Sequence, residues 1–168
     1  MGLRVLSIGS GSCGNAVVVS TKATTLLIDC GVGRAEIELG LAAIGRSLLD
    51  VEAILVSHEH HDHIRGLSRL GRAIPVICTR GTGRATRLLR GVWEEMRPNT
   101  SRRIGELEVM MLPVFHDAAE PCGYSISDGA NRVTILTDLG CWSDELAAPI
   151  AESSLIMLEA NHDERMLH

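Results

Sequence analysis

The chain has 168 residues, 45% of them hydrophobic and only 2% aromatic, and it carries a formal net charge of −5. That length suits one globular domain, and the longest apolar stretches, 16–19 and 53–56, fall far short of the roughly 20 residues a membrane span needs, which excludes a transmembrane helix and a membrane partner. The five cysteines Cys13, Cys30, Cys78, Cys122 and Cys141 are widely spaced with no Cys-x-x-Cys pair; no secretory signal opens the chain, so reduced thiols and a cytoplasmic location are expected.

Residues 3–8 read as a short strand, and the β-branched runs 16–20 and 24–29 as two more joined by a turn at Lys22. Ile37, Leu41 and Ile44 stand at helical spacing within 34–46, and the apolar strand 53–57 then runs into a cluster of histidines. A helix over 64–71, a strand over 75–78, a helix over 82–96 and a strand over 107–114 are predicted next, with His116 just past that last strand. Residues 123–127 and 132–137 form a hairpin around Asp128-Gly129, and 154–159 is a further apolar strand. Asp138 and Glu159 stand at strand ends. Strands and helices alternate throughout, which predicts an α/β fold in one domain.

Two motifs stand out. Gly9, Gly11 and Gly14 spell G-x-G-x-x-G after a strand, with Asp29 further on. That fingerprint binds a dinucleotide only where a helix N-terminus follows, and Ala16-Val17-Val18-Val19 favours a strand instead, so the glycines read as a turn between strands. The second motif is His58-Glu59-His60-His61-Asp62-His63, which gathers four of the chain's seven histidines. Neutral imidazole and carboxylate suit zinc, manganese or iron, and ligands on one loop converge at little ordering cost. His58 and His60 can face one cation while Asp62 and His63 turn to a second, in the manner of two-metal sites with roughly 3.5–4 Å between the ions.

His58-x-His60-x-Asp62-His63 after an apolar strand resembles the defining motif of the metallo-β-lactamase superfamily. The resemblance implies an αββα sandwich whose metal ligands come from strand ends: His58, His60 and His116 on one ion, Asp62 and His63 on the other, and Asp138 in Leu136-Thr137-Asp138-Leu139-Gly140 bridging them. It also implies that Asp29, in Leu27-Ile28-Asp29-Cys30-Gly31, supports the ligand loop by hydrogen bonds without binding metal. Gly9-Ser10-Gly11-Ser12-Cys13-Gly14-Asn15, Phe115 to Pro121 and Glu159 to Asp163 are together similar to the bacterial 5′-exonuclease subgroup called YycJ or WalJ, although Cys13 and Phe115 stand where serine is expected. Superfamily members add a C-terminal histidine to the second ion's site. The chain ends at His168 in a different context, so the expectation is a fold incomplete at its C-terminus and a weakened second site, with an inactive fragment as an alternative to an active enzyme.

The resemblance implies a hydrolase with two divalent ions, zinc or manganese, cleaving phosphodiester bonds of DNA rather than RNA. Asp62 is the candidate that orients the attacking water, and His162 the candidate proton donor to the leaving oxygen. Residues 65–103 carry ten arginines against two acids, a net +8 that leaves −13 elsewhere. Arg65, Arg80, Arg84 and Arg87 are the candidates for holding a nucleic-acid backbone, and the spacing of Arg80, Arg84, Arg87 and Arg90 fits a solvated helix face equally well. The residues leave open a same-fold hydrolase of a cyclic phosphodiester, thioester or β-lactam, and a non-catalytic nucleic-acid-binding module with a structural metal.

Overall fold

The computed structural model describes residues 2–70, 73–86 and 93–158. Eleven strands form two sheets among these residues. The first sheet orders β1 (Arg4–Gly9), β2 (Ala16–Ser20), β3 (Thr25–Ile28), β4 (Val51–Leu55), β5 (Val76–Cys78) and β6 (Glu94–Glu95) side by side. Pairing is antiparallel from β1 to β3 and parallel from β3 to β6. The second sheet runs β11 (Leu155–Leu158), β10 (Arg132–Leu136), β9 (Cys122–Ser127), β8 (Leu107–Pro113), β7 (Ser101–Ile104); only β10 and β11 are parallel.

Side-chain alternation along the strands builds the layers. Val17, Val19, Leu26, Ile28, Ala53 and Leu55 point inward to meet Val109, Met111, Tyr124, Ile126, Val133 and Ile135 of the second sheet. Their neighbours Ala16, Val18, Leu27, Ile54 and Val56 point outward into a second core with the helices. A strand buried on both faces reads as an unbroken apolar run, which is why Ala16 to Val19 shows no polar alternation. Helix α1 (Arg34–Ala43) covers the outer face with Ile37 and Leu41. It starts where Gly33 N–H donates to Glu36 Oε2 at 2.5 Å, and Gly45 at φ +72° follows its end. On the far side Leu112 and Leu136 pack with Leu146 and Ile150, the latter on α5 (Ala147–Ala151). Helices outside two face-to-face sheets make the expected αββα sandwich.

Three local expectations need correction. The helix predicted over 64–71 is two short ones, α2 (His61–Ile64) and α3 (Leu67–Leu70). Gly66 lies between them; its N–H donates to Cys30 O at 2.7 Å, and an added Cβ would lie 2.6 Å from Cys30 Sγ, so tertiary contact breaks the helix there. Of the helix predicted over 82–96, residues 87–92 lie outside the described residues; α4 (Arg80–Ala85) begins earlier than expected, where the Thr79 side chain accepts from Thr82 N–H. Glu94 and Glu95 pair with Ile77 and Cys78 as β6, where strand pairing overrides a helical sequence preference. β7 and α5 carry no periodicity strong enough to foretell them: β7 is Ser-Arg-Arg-Ile, mostly exposed, and exists through its ladder with β8.

Candidate metal centre

The sandwich brings several strand ends to one edge. Parallel β3 and β4 deliver Asp29 and His58 there from the first sheet, and β8 and β10 deliver His116 and Asp138 from the second. The two sheets are joined just below: Tyr124 Oη donates to Val56 O at 2.7 Å and Cys122 N–H to Ser57 O at 3.0 Å. The His116 and Asp138 loops are tied by Gly140 N–H donating to Phe115 O at 2.7 Å.

Four imidazoles converge at this edge. The His58 ring lies 4.1 Å from His63, 4.6 Å from His60 and 4.8 Å from His116, and His60 lies 4.9 Å from His116, centroid to centroid. Ligand-capable atoms of His58, His60 and His116 lie within 4.8 Å of one another, and so do those of His58, His63 and Asp138. Asp62 stands beside these groups, its Oδ2 3.5 Å from His63 Nε2. His61 faces solvent and joins neither.

Asp29 lies beneath the cluster, 1% exposed and at φ +58°, a left-handed conformation that aspartate tolerates better than most residues. Its Oδ1 accepts from Ser57 N–H at 2.8 Å, and its Oδ2 accepts from Ser57 Oγ at 2.8 Å and lies 2.7 Å from His63 Nδ1. A proton on His63 Nδ1 satisfies that contact and leaves Nε2, 2.8 Å from Asp138 Oδ2, as the ring atom facing the cluster.

Electrostatics separate the two buried histidines. Burial, with the charge of His63 adding to it, lowers His58 to about 4, so it is a neutral imidazole at physiological pH. Burial opposes charge on His63 too, but Asp29 and Asp138 outweigh it and raise this histidine to about 10. Asp138 shows the converse: burial works against its carboxylate, and His63 and the other imidazoles overcome it, bringing the group down to about 2.

His58 Nε2 and Asp138 Oδ2 are buried and lack an aligned hydrogen-bond partner among the described residues, even though His63 comes close to the latter. Buried polar atoms without partners are costly, and a cation is the partner that several imidazole nitrogens and a carboxylate can share. The donor set therefore fits divalent metal. Two residues near the site were not anticipated as members of it. Ser57 bridges Asp29 and His58, its Oγ 3.0 Å from His58 Nδ1. Glu120 ties the His116 loop to α4, its Oε2 accepting from Gly81 N–H at 2.6 Å. Adjacency to His58 hinted at Ser57; Glu120 lies in the Phe115 to Pro121 segment that carried the resemblance, without having been singled out there.

Arg65, Arg80 and Arg84 are all exposed. Arg87 and His162, with Glu159, lie outside the described residues. Among the described residues no helix is long and apolar enough to cross a membrane.

Residues 24–168 match the family model described as the Beta-lactamase superfamily domain. The chain belongs to this superfamily. Two relatives align with 99% of it: Exodeoxyribonuclease YycJ of Bacillus anthracis, 34% identical over 174 residues, and Exodeoxyribonuclease WalJ of Streptococcus pneumoniae strain D39, 30% identical over 179 residues. The chain covers 66% and 65% of their respective lengths. Among solved structures, the metallo-β-lactamase fold protein YhfI from Bacillus subtilis superposes with a TM-score of 0.74 at 21% identity, covering 92% of this chain and 69% of that one. Zinc-bound PqqB from Methylobacterium extorquens superposes with a TM-score of 0.75 at 17% identity, covering 97% and 75%. These superpositions establish the metallo-β-lactamase fold for the chain.

Proposed function

We propose that this superfamily member is a metal-dependent hydrolase that cleaves phosphodiester bonds of DNA, in the manner the names of its YycJ and WalJ relatives describe. The observation that carries the reading is the convergence of His58, His60, His116, His63 and Asp138 on a buried edge, with two of their ligand atoms left without partners. His58, His60 and His116 would hold one cation. Asp62 and His63 would hold a second, with Asp138 shared between the two. Zinc and manganese both suit this donor set. When bound, such ions supply a water acidic enough to act as a nucleophile at neutral pH and positive charge where the phosphoryl group gathers negative charge.

The chain's own residues prepare that chemistry. Asp29 and Ser57 fix the aim of His63 and His58. Asp62, with a side chain 31% exposed, would orient a water at the mouth of the site. The first turn of α4, carrying Arg80, docks on Glu120 only four residues beyond His116. Its exposed arginines are thereby coupled to the ligand loop, where a phosphate backbone would run. Arg65 would extend that surface, Arg87 is a further candidate to hold the backbone, and His162 would protonate the leaving oxygen.

Metal content and DNA hydrolysis should be measured for the protein and for His60→Ala. The expected result is loss of bound cation together with loss of cleavage. Unchanged values for both would overturn the reading. DNA binding that survives chelation, with no cleavage under any cation, would favour a non-catalytic binding module.

A further inference from the structure

The glycine-rich segment that opens the chain has no part in the chemistry described so far, yet it ends on a residue set into the metal centre. Asn15 is 4% exposed. Its side-chain orientation is defined by Gly11 N–H donating to Oδ1 at 2.9 Å, which leaves Nδ2 as the atom facing the cluster. That nitrogen lies 3.2 Å from Asp62 Oδ2 and 2.9 Å from His63 Nε2. The Asn15 backbone grips the same loop, its N–H donating to Asp62 O at 2.7 Å and its carbonyl accepting from Gly31 N–H at 2.8 Å. The packing leaves no slack: a Cβ on Gly31 would stand 1.5 Å from Asp62 O, and one on Gly14 would stand 2.3 Å from Gly31 O. Gly11 and Gly14, at φ +113° and +142°, let the chain double back tightly enough to place Asn15 there.

We infer that Asn15 is a positioning residue for the second cation, aligning Asp62 and His63 through one amide nitrogen. The inference rests on the two-cation reading of the site. Asp62 lies outside both groups of converging ligand atoms, and the Asn15 amide is the side-chain donor that reaches its carboxylate among the described residues. With His63 Nε2 given to a cation, the Asn15 amide would be left to hold Asp62. Among the described residues the Asn15 side chain hydrogen-bonds with neither His60 nor His116, the ligands proper to the first site, so its effect should be confined to one of the two ions. The glycine motif then serves metal positioning, which accounts for its spacing without a dinucleotide.

The test is cation uptake by the full chain, measured by equilibrium dialysis against buffered zinc and by the electronic absorption of the cobalt-substituted protein. The unaltered protein is expected to hold two cations. Asn15→Ala should keep the first and weaken the second by about 10–100-fold, the usual cost of removing a group that orients a ligand. Asn15→Asp retains the shape and the Gly11 hydrogen bond, so it is the variant to read if the alanine protein does not fold. It sets a carboxylate oxygen beside Asp62 and should change the absorption of the second cobalt while leaving the first unaltered. Unchanged second-site behaviour in the folded variants, or equal loss at both sites, would overturn the role of Asn15 while leaving the two-cation reading intact. A single cation in the unaltered protein would overturn both.

Discussion

Asp29→Asn isolates what the buried carboxylate contributes. Asparagine has the same shape and also tolerates a φ of +58°, so the backbone cost is unchanged. Its oxygen can still accept from Ser57 N–H, now 2.8 Å from Oδ1. At the Oδ2 position an amide nitrogen would face Ser57 Oγ and His63 Nδ1, where an acceptor now stands. The Ser57 hydroxyl can rotate to accept. His63 can accept at Nδ1 only while its proton sits on Nε2, which removes the lone pair offered to a cation. Hydrogen bonds to a charged group are worth about 1.5–3 kcal/mol each, and one of the three is lost outright, so metal-free stability should fall by about 2 kcal/mol. For a chain of this size that is about 4–8 °C in melting temperature. Second-site metal affinity should drop by about 10–100-fold, because the partner that selects the ligating tautomer is gone. Thermal melts of the metal-free protein and zinc titration against a competing chelator read the two effects. A variant with unchanged affinity and a melting temperature within a degree of the parent would refute the assignment of Asp29 as the support of His63.

Two further outcomes can be checked directly. Cys13 and Cys141 are exposed while Cys30, Cys78 and Cys122 are buried, so a disulfide reagent at pH 8 should consume two thiols quickly in the native protein and five after denaturation; three or more fast thiols would contradict the packing. Burial raises Cys30 and Cys78 from 9.0 to about 12, so the unfolded chain releases these protons near pH 9 while the folded chain keeps them. Their contribution to stability is therefore present below pH 9 and lost as pH climbs towards 12, which urea denaturation across that range would register. If exposed Arg80 and Arg84 hold phosphates, replacing both with alanine should reduce the slope of log affinity against log salt for duplex DNA by about 1.8, and an unchanged slope would remove them from the interface.

Much of this protein was legible along the chain because its signals are local. The doubly buried strands β2 and β3 and the apolar end of β4 announced themselves as apolar runs, and the hexamer from His58 to His63 declared a metal-ligand loop because so many imidazoles within six residues have little other use. Where local preference competed with tertiary contact, the residue pattern misled. Glu94 and Glu95 lie in a sequence that favours helix and were claimed by the edge of β5; the run after His63 was cut at Gly66 by Cys30.

What residue order determined by itself is the set of ligand types and the strand that presents most of them. The tertiary structure alone decided how they face one another: that the Asp29 carboxylate reaches His63, that Asn15 turns its amide to Asp62 and His63, and that His116 and Asp138 arrive from a second sheet to meet His58. The reason is physical. Ligand chemistry belongs to the side chain, whereas convergence depends on two sheets packing face to face, through contacts such as Tyr124 Oη to Val56 O between residues 68 apart along the chain.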